Sequence, residues 1–396
     1  MAELGHVSEI FASGQSWCTY TGGYAMRFSS GSNRRQTVAV VLAGACVLAA
    51  LTGWHWNEKK VLEEKFIQVH MATVVQTKQR EVESLFDNLY ENLRTISLLP
   101  SVRNITGANR THEAEDVVAE GRFSNEGQQT VQQIYNNLRR SESVHVSEVY
   151  AVLDGLDETK GQVPFFMYDT LVFGSAKLPA PVPPVKGPDI PEEEERAEYA
   201  YFPKQLDLIK KSHPRFNFTD PTQIPAFASP LMRTCDNSQY LSLSKGHVSD
   251  AFGLLYSVPF YDAKSEQLRG VISGILRSNV IEAVLVGTPL VPVTPADLAV
   301  QKQGAWEMPQ PARFVLSNAG YGVHVMDRRS TDLPAQLAQG VAGRNSFHIK
   351  LNITSDSPWV LDYYLPESLL DNATQESSRR FTILIVVVLF LLVVAL

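Results

Sequence analysis

Eight side chains in this 396-residue sequence are candidates, by type and by place, to grip a small polar molecule. Tyr150, Phe166, Tyr168 and Asp169 lie in one pair of apolar segments, and Tyr256, Tyr261, Asp262 and Arg277 in a later pair. Aromatic rings supply walls, and a few charged groups fix orientation. Arg277 would take a carboxylate, and Asp169 or Asp262 an amine, through charge-assisted hydrogen bonds. The competing assignment for each is ordinary: rings in the core, charges on solvated turns.

No chemistry beyond binding is legible. The sequence holds no P-loop, GxSxG elbow, HExxH, CxxC pair or Rossmann glycine pattern. His70, His112, His145, His213, His247, His324 and His348 are scattered without metal-ligand spacing. The expectation is therefore no catalytic residue, no metal and no cofactor in the residues present. Cys235 stands alone in the central region, so no disulfide forms within it. A net charge of -7 gives no basis for a nucleic-acid partner. The acid run Glu192–Glu195 suits the start of a helix better than a cation site. Asn104, Asn109, Asn217, Asn352 and Asn372 each begin a sequon, a weak signal on its own.

Glu58–Leu99 reads as one long helix, with Val75, Val82, Leu89 and Ile96 every seven residues and Pro100 at its end. About 40 residues at 1.5 Å each would run roughly 60 Å. The apolar stripe fits packing on its own domain or a homodimer seam equally well. A second helix is expected over Glu126–Arg140. Strands are expected at Val146–Leu153, Val163–Phe173, Phe252–Phe260 and Gly270–Arg277. Asn279 with Glu282 reads as a capping box opening a short helix to Leu285. Pro203 should divide the segment between Glu192 and Lys211 into two helical pieces. The stretches 176–191 and 287–311 are proline-rich loops. Strands at Ala312–Leu316 and Tyr321–Met326 flank a turn at Ser317–Gly320, and two more follow at Asn345–Ile353 and Trp359–Leu365.

Two segments are far more apolar than the rest. Thr37–Trp56 is long enough to cross a bilayer and carries Trp54 and Trp56 where interfacial rings belong. Phe381–Leu396 carries no charge and ends in mid-run, so an output module is expected beyond residue 396. Arg27, Arg34 and Arg35 favour a cytoplasmic N-terminus. Arg379 and Arg380 argue the other way, but large domains translocate with little regard to charge.

The order of these elements, and above all Tyr256–Leu276 (YSVPFYDAKSEQLRGVISGIL), resembles the double Cache (dCache) sensor regions of bacterial transmembrane signalling proteins. The segment is similar to that family's penultimate strand, turn and last strand in the distal lobe. Leu93-Arg94-Thr95-Ile96 before Pro100-Ser101-Val102 is similar to the end of its long helix. The resemblance covers about residues 58–380. It implies an α+β fold: a long N-terminal helix with two PAS-like antiparallel-sheet lobes, flanked by two transmembrane helices. The boundaries that follow are a cytoplasmic tail (1–36), transmembrane helix 1 (37–56), a membrane-emergent helix (57–100), a membrane-distal sensor lobe (101–290), a membrane-proximal lobe (291–366), an exit helix (367–380) and transmembrane helix 2 (381–396).

The function so implied is extracytoplasmic sensing of an unknown small-molecule ligand at the inner membrane. The partners implied are membrane lipid and a second copy through the long helix. The first expectation for the output is a diguanylate cyclase or phosphodiesterase, then a histidine kinase or chemoreceptor module. Amino-acid-binding members carry a tyrosine, arginine and Trp-Tyr cluster. This chain has no Trp between Trp56 and Trp306, and only Asp262 matches the aspartate that grips the ammonium group. An amino-acid ligand is therefore not expected. A protein-binding ectodomain and a membrane-bound hydrolase are the alternatives; they require a large exposed apolar patch and a nucleophile hydrogen-bonded to a base, respectively.

Overall fold

The computed structural model describes residues 32–110, 146–169, 193–234, 252–287, 312–340 and 345–395. The expected helix Glu126–Arg140 and the proline-rich loops at 176–191 and 288–311 lie outside them. Two units form: the N-terminal helix to Leu62 with Thr374–Leu396, and Glu63–Ala373. In the first unit, α1 (Ser32–His70) and the last helix, α8 (Glu367–Ala395), contain stretches long and apolar enough to cross a membrane.

In the second unit, α1 passes into a π-helical turn (Met71–Val75) and then α2 (Gln76–Leu98). Residues five apart in a regular α-helix differ by about 140° in direction at 3.6 residues per turn. A π turn closes i to i+5 and brings such residues onto one face. His70 and Val75 thus both face the domain. Before the turn, Phe66 and His70 stack toward Tyr363 of the second sheet. After it, Val75, Val82, Leu89 and Ile96 are buried with Phe86 and Leu93 in the domain's own core. The seven-residue stripe is therefore filled within the chain and is not the surface of a dimer seam. Pro100 opens a further short helix, α3 (Pro100–Arg103), with Leu99 extended before it as a residue preceding proline must be.

The first sheet is antiparallel. Its strands are β1 (Val146–Leu153), β2 (Phe166–Asp169), β3 (Phe227–Ala228), β4 (Met232–Arg233), β5 (Phe252–Tyr261) and β6 (Leu268–Arg277). They lie in the order β2-β1-β6-β5-β3, with β4 also on β5. One face carries Val149, Ala151, Tyr256, Val258 and Ile272 against α2. The other carries Tyr150, Val152, Leu255, Val271 and Ile275 beneath α5 (Phe202–Ser212), which follows α4 (Glu193–Tyr199). Burial on both faces is why β5 and β6 read as nearly unbroken apolar runs. Gly270 allows β6 to approach β1: a Cβ there would lie 2.1 Å from the Val152 carbonyl oxygen. The break expected at Pro203 appears as the step from α4 to α5, with proline in the first turn of α5.

The short helix after β6 is α6 (Ser278–Val286). The capping box does not form. Arg277 is the N-cap and makes no side-chain capping bond to the helix, and the Glu282 carboxylate instead accepts from Arg328. That carboxylate has a stronger donor in the second lobe than a backbone amide.

The second sheet comprises β7 (Phe314–Asn318), β8 (Val323–Met326), β9 (Ser346–Lys350) and β10 (Val360–Tyr364), in the order β8-β7-β10-β9. Its first hairpin turns at residues 319–322, two later than the sequence suggests. Gly322 supplies the positive φ of 65°, and the Asn318 side chain accepts from the Gly320 amide. The helix α7 (Leu333–Gly340) and the two-residue strands β3 and β4 carry no sequence pattern long enough to predict.

One core joins the two sheets. Trp359 is fully buried against Phe86, ring centroids 4.8 Å apart. The β9–β10 connection straps the lobes together: Tyr256 Oη donates to the Thr354 carbonyl, and the Asp356 amide donates to the Ala226 carbonyl at 3.0 Å. Asn109, first residue of a sequon, is buried and exchanges hydrogen bonds with both backbone groups of Leu153. A glycan there is incompatible with this fold.

Burial lowers the pKa of His70 and of His213 below 6.5. Each is neutral in the folded state and easier to protonate unfolded. Their contribution to stability is complete above pH 6.5 and is lost as pH falls through the lowered folded-state values. Thermal midpoints of the full chain should drop between pH 7.5 and pH 5.5, and His70→Gln with His213→Gln should flatten that slope; an unchanged slope would contradict the assignment.

Candidate ligand-binding face

The outer face of the first sheet, under α4 and α5, is apolar except for a set of polar side chains. Ser257 on β5 and Ser273 on β6 are direct cross-strand partners with hydroxyls 2.7 Å apart, both fully buried. Tyr150 on β1 pairs with Ser273 on its other side and Phe227 on β3 with Ser257, so the row runs Tyr150, Ser273, Ser257, Phe227. Tyr150 Oη donates to Glu198 of α4 at 2.6 Å, and its ring meets Tyr199 and Phe202 edge-on. Above the row, Gln205 of α5 donates to the carbonyls of Phe227 and Ala228. Its Oε1 is buried without a hydrogen-bond partner among the described residues.

The same face continues toward the end of β6. A bulge in β1 sets two residues, Ser147 and Glu148, between the pairs Val146–Leu276 and Val149–Gly274. Glu148 is buried there, and Arg277, the next outer-face residue after Ile275, is buried beside it on the lattice of the sheet. Gly253 lies opposite Arg277, and a Cβ on it would fall 2.9 Å from Ile275 Cγ2 and 3.2 Å from Thr234 Cγ2. Thr234 is buried with an uncommitted hydroxyl among the described residues. Buried polar and charged groups are costly unless matched, so their concentration on one face calls for a reason.

The eight residues singled out by sequence do not converge. Tyr150 and Arg277 share the outer face. Phe166 and Tyr256 lie on the inner face, in the core shared with α2. Tyr168 and Asp169 occupy register positions opposite Val149 and Glu148, and their side chains lie outside the described set. Tyr261 closes the far end of the β5–β6 hairpin, where its hydroxyl donates to the His213 carbonyl and burial raises its pKa. Asp262 begins the turn. Its Oδ1 accepts from the Ser265 amide and hydroxyl and the Lys264 amide, bonds that hold its pKa low. Arg277 and Tyr261 stand at opposite ends of a strand pair some nine residues long, roughly 30 Å at 3.4 Å per residue. No small ligand bridges Arg277 and Asp262.

Glu148, Glu198, Ser257 and Ser273 were not among the sequence candidates. Three of them had a signal: a Glu inside VSEVYAVL and single serines inside FGLLYSVPF and GVISGILR interrupt segments otherwise suited to full burial. Glu198 had none, since it sits in a charged run.

No family model matches this chain, and no curated protein does. Among solved structures, the chain is similar to the sensory domain of the Campylobacter jejuni chemoreceptor Tlp3 with isoleucine bound, at 12% identity over 79% of this chain and 97% of that one, with a TM-score of 0.40. It is similar to the periplasmic sensory domain of the Campylobacter jejuni chemoreceptor Tlp1, at 13% identity over 78% and 98%, TM-score 0.41. A domain of a sensory box/GGDEF family protein from Vibrio parahaemolyticus matches at 10% identity over 78% and 99%, TM-score 0.37.

Proposed function

We propose that this chain is the extracytoplasmic ligand-sensing region of a transmembrane signal-transduction protein, with a small polar ligand held between the outer face of the first sheet and α4–α5. One observation carries the reading: fully buried Ser257 and Ser273 sit side by side at the centre of a layer that stability alone would fill with apolar side chains. Tyr150, Gln205, Thr234 and Arg277 border the same layer and offer hydroxyl, amide and guanidinium groups. On the neighbouring strand Asp169, at the register position opposite Glu148, joins the proposed contact set, whereas Tyr168, opposite the inner-face Val149, does not.

In this reading the two apolar helices cross the inner membrane at 37–56 and 381–396, leaving 1–36 cytoplasmic. The long helix (57–100), distal lobe (101–290), proximal lobe (291–366) and exit helix (367–380) form the extracytoplasmic part. Binding is coupled to a cytoplasmic output module, with a cyclic-dinucleotide enzyme as the first candidate. A homodimer through the long helix uses its polar side, where Arg80, Ser84, Glu91 and Thr95 lie away from the core stripe.

Calorimetric titration of the full chain in lipid nanodiscs, with a panel of small amines, carboxylates and sugars, tests the reading. A ligand present at about 100 times its Kd should add about 2.7 kcal/mol of stability. Ser273→Val should weaken that binding by about tenfold or more if one hydrogen bond is lost and a methyl group intrudes. Tyr150→Phe, which leaves the Glu198 carboxylate short of a donor, should cost about 1–3 kcal/mol in stability with or without ligand. A panel without a single binder, or a binder indifferent to Ser273→Val, would remove the site.

A further inference from the structure

The two membrane-crossing helices meet along one line. A Cβ on Gly44 of α1 would fall 2.4 Å from a methyl carbon of Leu392 in α8. Further along α1, the His55 imidazole stacks on Phe381, with centroids 4.1 Å and planes 5° apart. Eleven residues separate Gly44 from His55, and eleven separate Phe381 from Leu392. That is close to three helical turns, so both contacts lie on one stripe of each antiparallel helix. The same register sets Leu48 opposite Val388 and Leu51 opposite Ile385. Between Gly44 and His55 every residue but Leu48 and Leu51 is exposed, and between Phe381 and Leu392 every residue but Ile385 and Val388. Shielded positions on α1 continue through Glu58 and Leu62, in alternating steps of four and three. This is the seven-residue period of a two-helix seam.

From Gly44 to Glu58 the seam has one polar layer. Ser377 of α8, itself buried, donates to Glu58 Oε2 at 3.1 Å and lies 3.5 Å from His55 Nδ1. Ionisable groups at a membrane boundary can turn to water or headgroups; these two face the partner helix. The layers Gly44–Leu392, Leu48–Val388 and Leu51–Ile385 are apolar, so displacement by one turn there exchanges one apolar contact for another. The polar layer is what distinguishes the registers.

We infer that the two spans form an intrachain pair of fixed register, and that the His55–Glu58–Ser377 layer sets that register. Moving α8 one turn one way would bring Phe381 against Glu58, leaving the carboxylate facing a ring. Moving it the other way would bring Thr374, whose hydroxyl can donate in place of Ser377. The layer therefore makes the pair directional: one displaced register is tolerated and the opposite one is not. This inference takes its purpose from the sensing reading above, since such a step is how the exit helix would pass a signal inward. Its structural content is independent of any ligand.

Disulfide cross-linking of the full chain in lipid nanodiscs tests it, in a Cys18→Ser, Cys46→Ser, Cys235→Ser background with a copper-phenanthroline oxidant. Three pairs share Leu48→Cys: with Val388→Cys in register, with Ile385→Cys one turn toward the Thr374 register, and with Leu392→Cys one turn the other way. The in-register pair should form an intrachain disulfide fastest. Adding Ser377→Ala should raise the Ile385→Cys product about tenfold, the effect of a lost hydrogen bond to a charged group, and leave the Leu392→Cys product low. Equal rates for the three pairs, or disulfides that link two chains, would overturn the intrachain seam. An Ile385→Cys yield unmoved by Ser377→Ala would overturn the role of the polar layer. Ligand titration of the same preparations reads the sensing proposal separately, so either can fail alone.

Discussion

Replacing Glu282 by alanine should destabilise the Glu63–Ala373 unit by about 3–5 kcal/mol, the cost of leaving one member of a buried ion pair without its partner. Glu282 belongs to α6 at the end of the first lobe, and its carboxylate accepts from Arg328 Nε at 2.9 Å, Arg328 Nη2 at 2.7 Å and the Arg328 amide at 2.6 Å. The two side chains are 3% and 9% exposed, so water cannot stand in for the lost partner. Glu282→Gln tests the charge apart from the shape and should recover part of the loss. Denaturant midpoints of the full chain in nanodiscs would show both; a change below about 1 kcal/mol for the alanine variant would place this pair among surface ion pairs.

A comparable loss, about 3–5 kcal/mol, is expected for Trp359→Ala. Trp359 is fully buried and its ring lies against Phe86, so its removal opens a cavity where the strand β10 meets the long helix. Trp359 Nε1 has no hydrogen-bond partner among the described residues, so the indole serves by volume more than by polarity. Trp359→Phe should accordingly cost much less than Trp359→Ala. Because one core spans both sheets, the alanine variant should also split a single thermal transition into two, one per lobe. A single transition with an unchanged midpoint would contradict that account.

Much of this architecture was legible in the residues. The strands β1, β5 and β6, the step at Pro203 and the long helix all follow from period, turn residues and proline, because these signals are local. What escaped was decided by distant partners. Asn279 and Glu282 have the spacing of a capping box, but Arg328, far along the chain, is the better partner for Glu282. The seven-residue stripe of α2 could not say what would cover it; the sheet does. The π turn has no sequence signature and exists because two stretches of one helix dock on different sheets. On the candidate face, Tyr150 stands out in the sequence because it is an aromatic residue in a strand. Ser257 and Ser273 were passed over because serine is common, although a serine inside a fully buried strand is not.

That turn at Met71–Val75 makes the length of the helix a matter of phase rather than reach. Losing a single codon between His70 and Gln76 would shorten the rod by only about 1.5 Å, yet would rotate everything before it by about 100° against everything after it. Phe66 and His70 would then look away from Tyr363 while Val82 and Leu89 kept their places. Evolutionary change in this stretch should consequently come as substitution, with gaps confined to neighbouring loops.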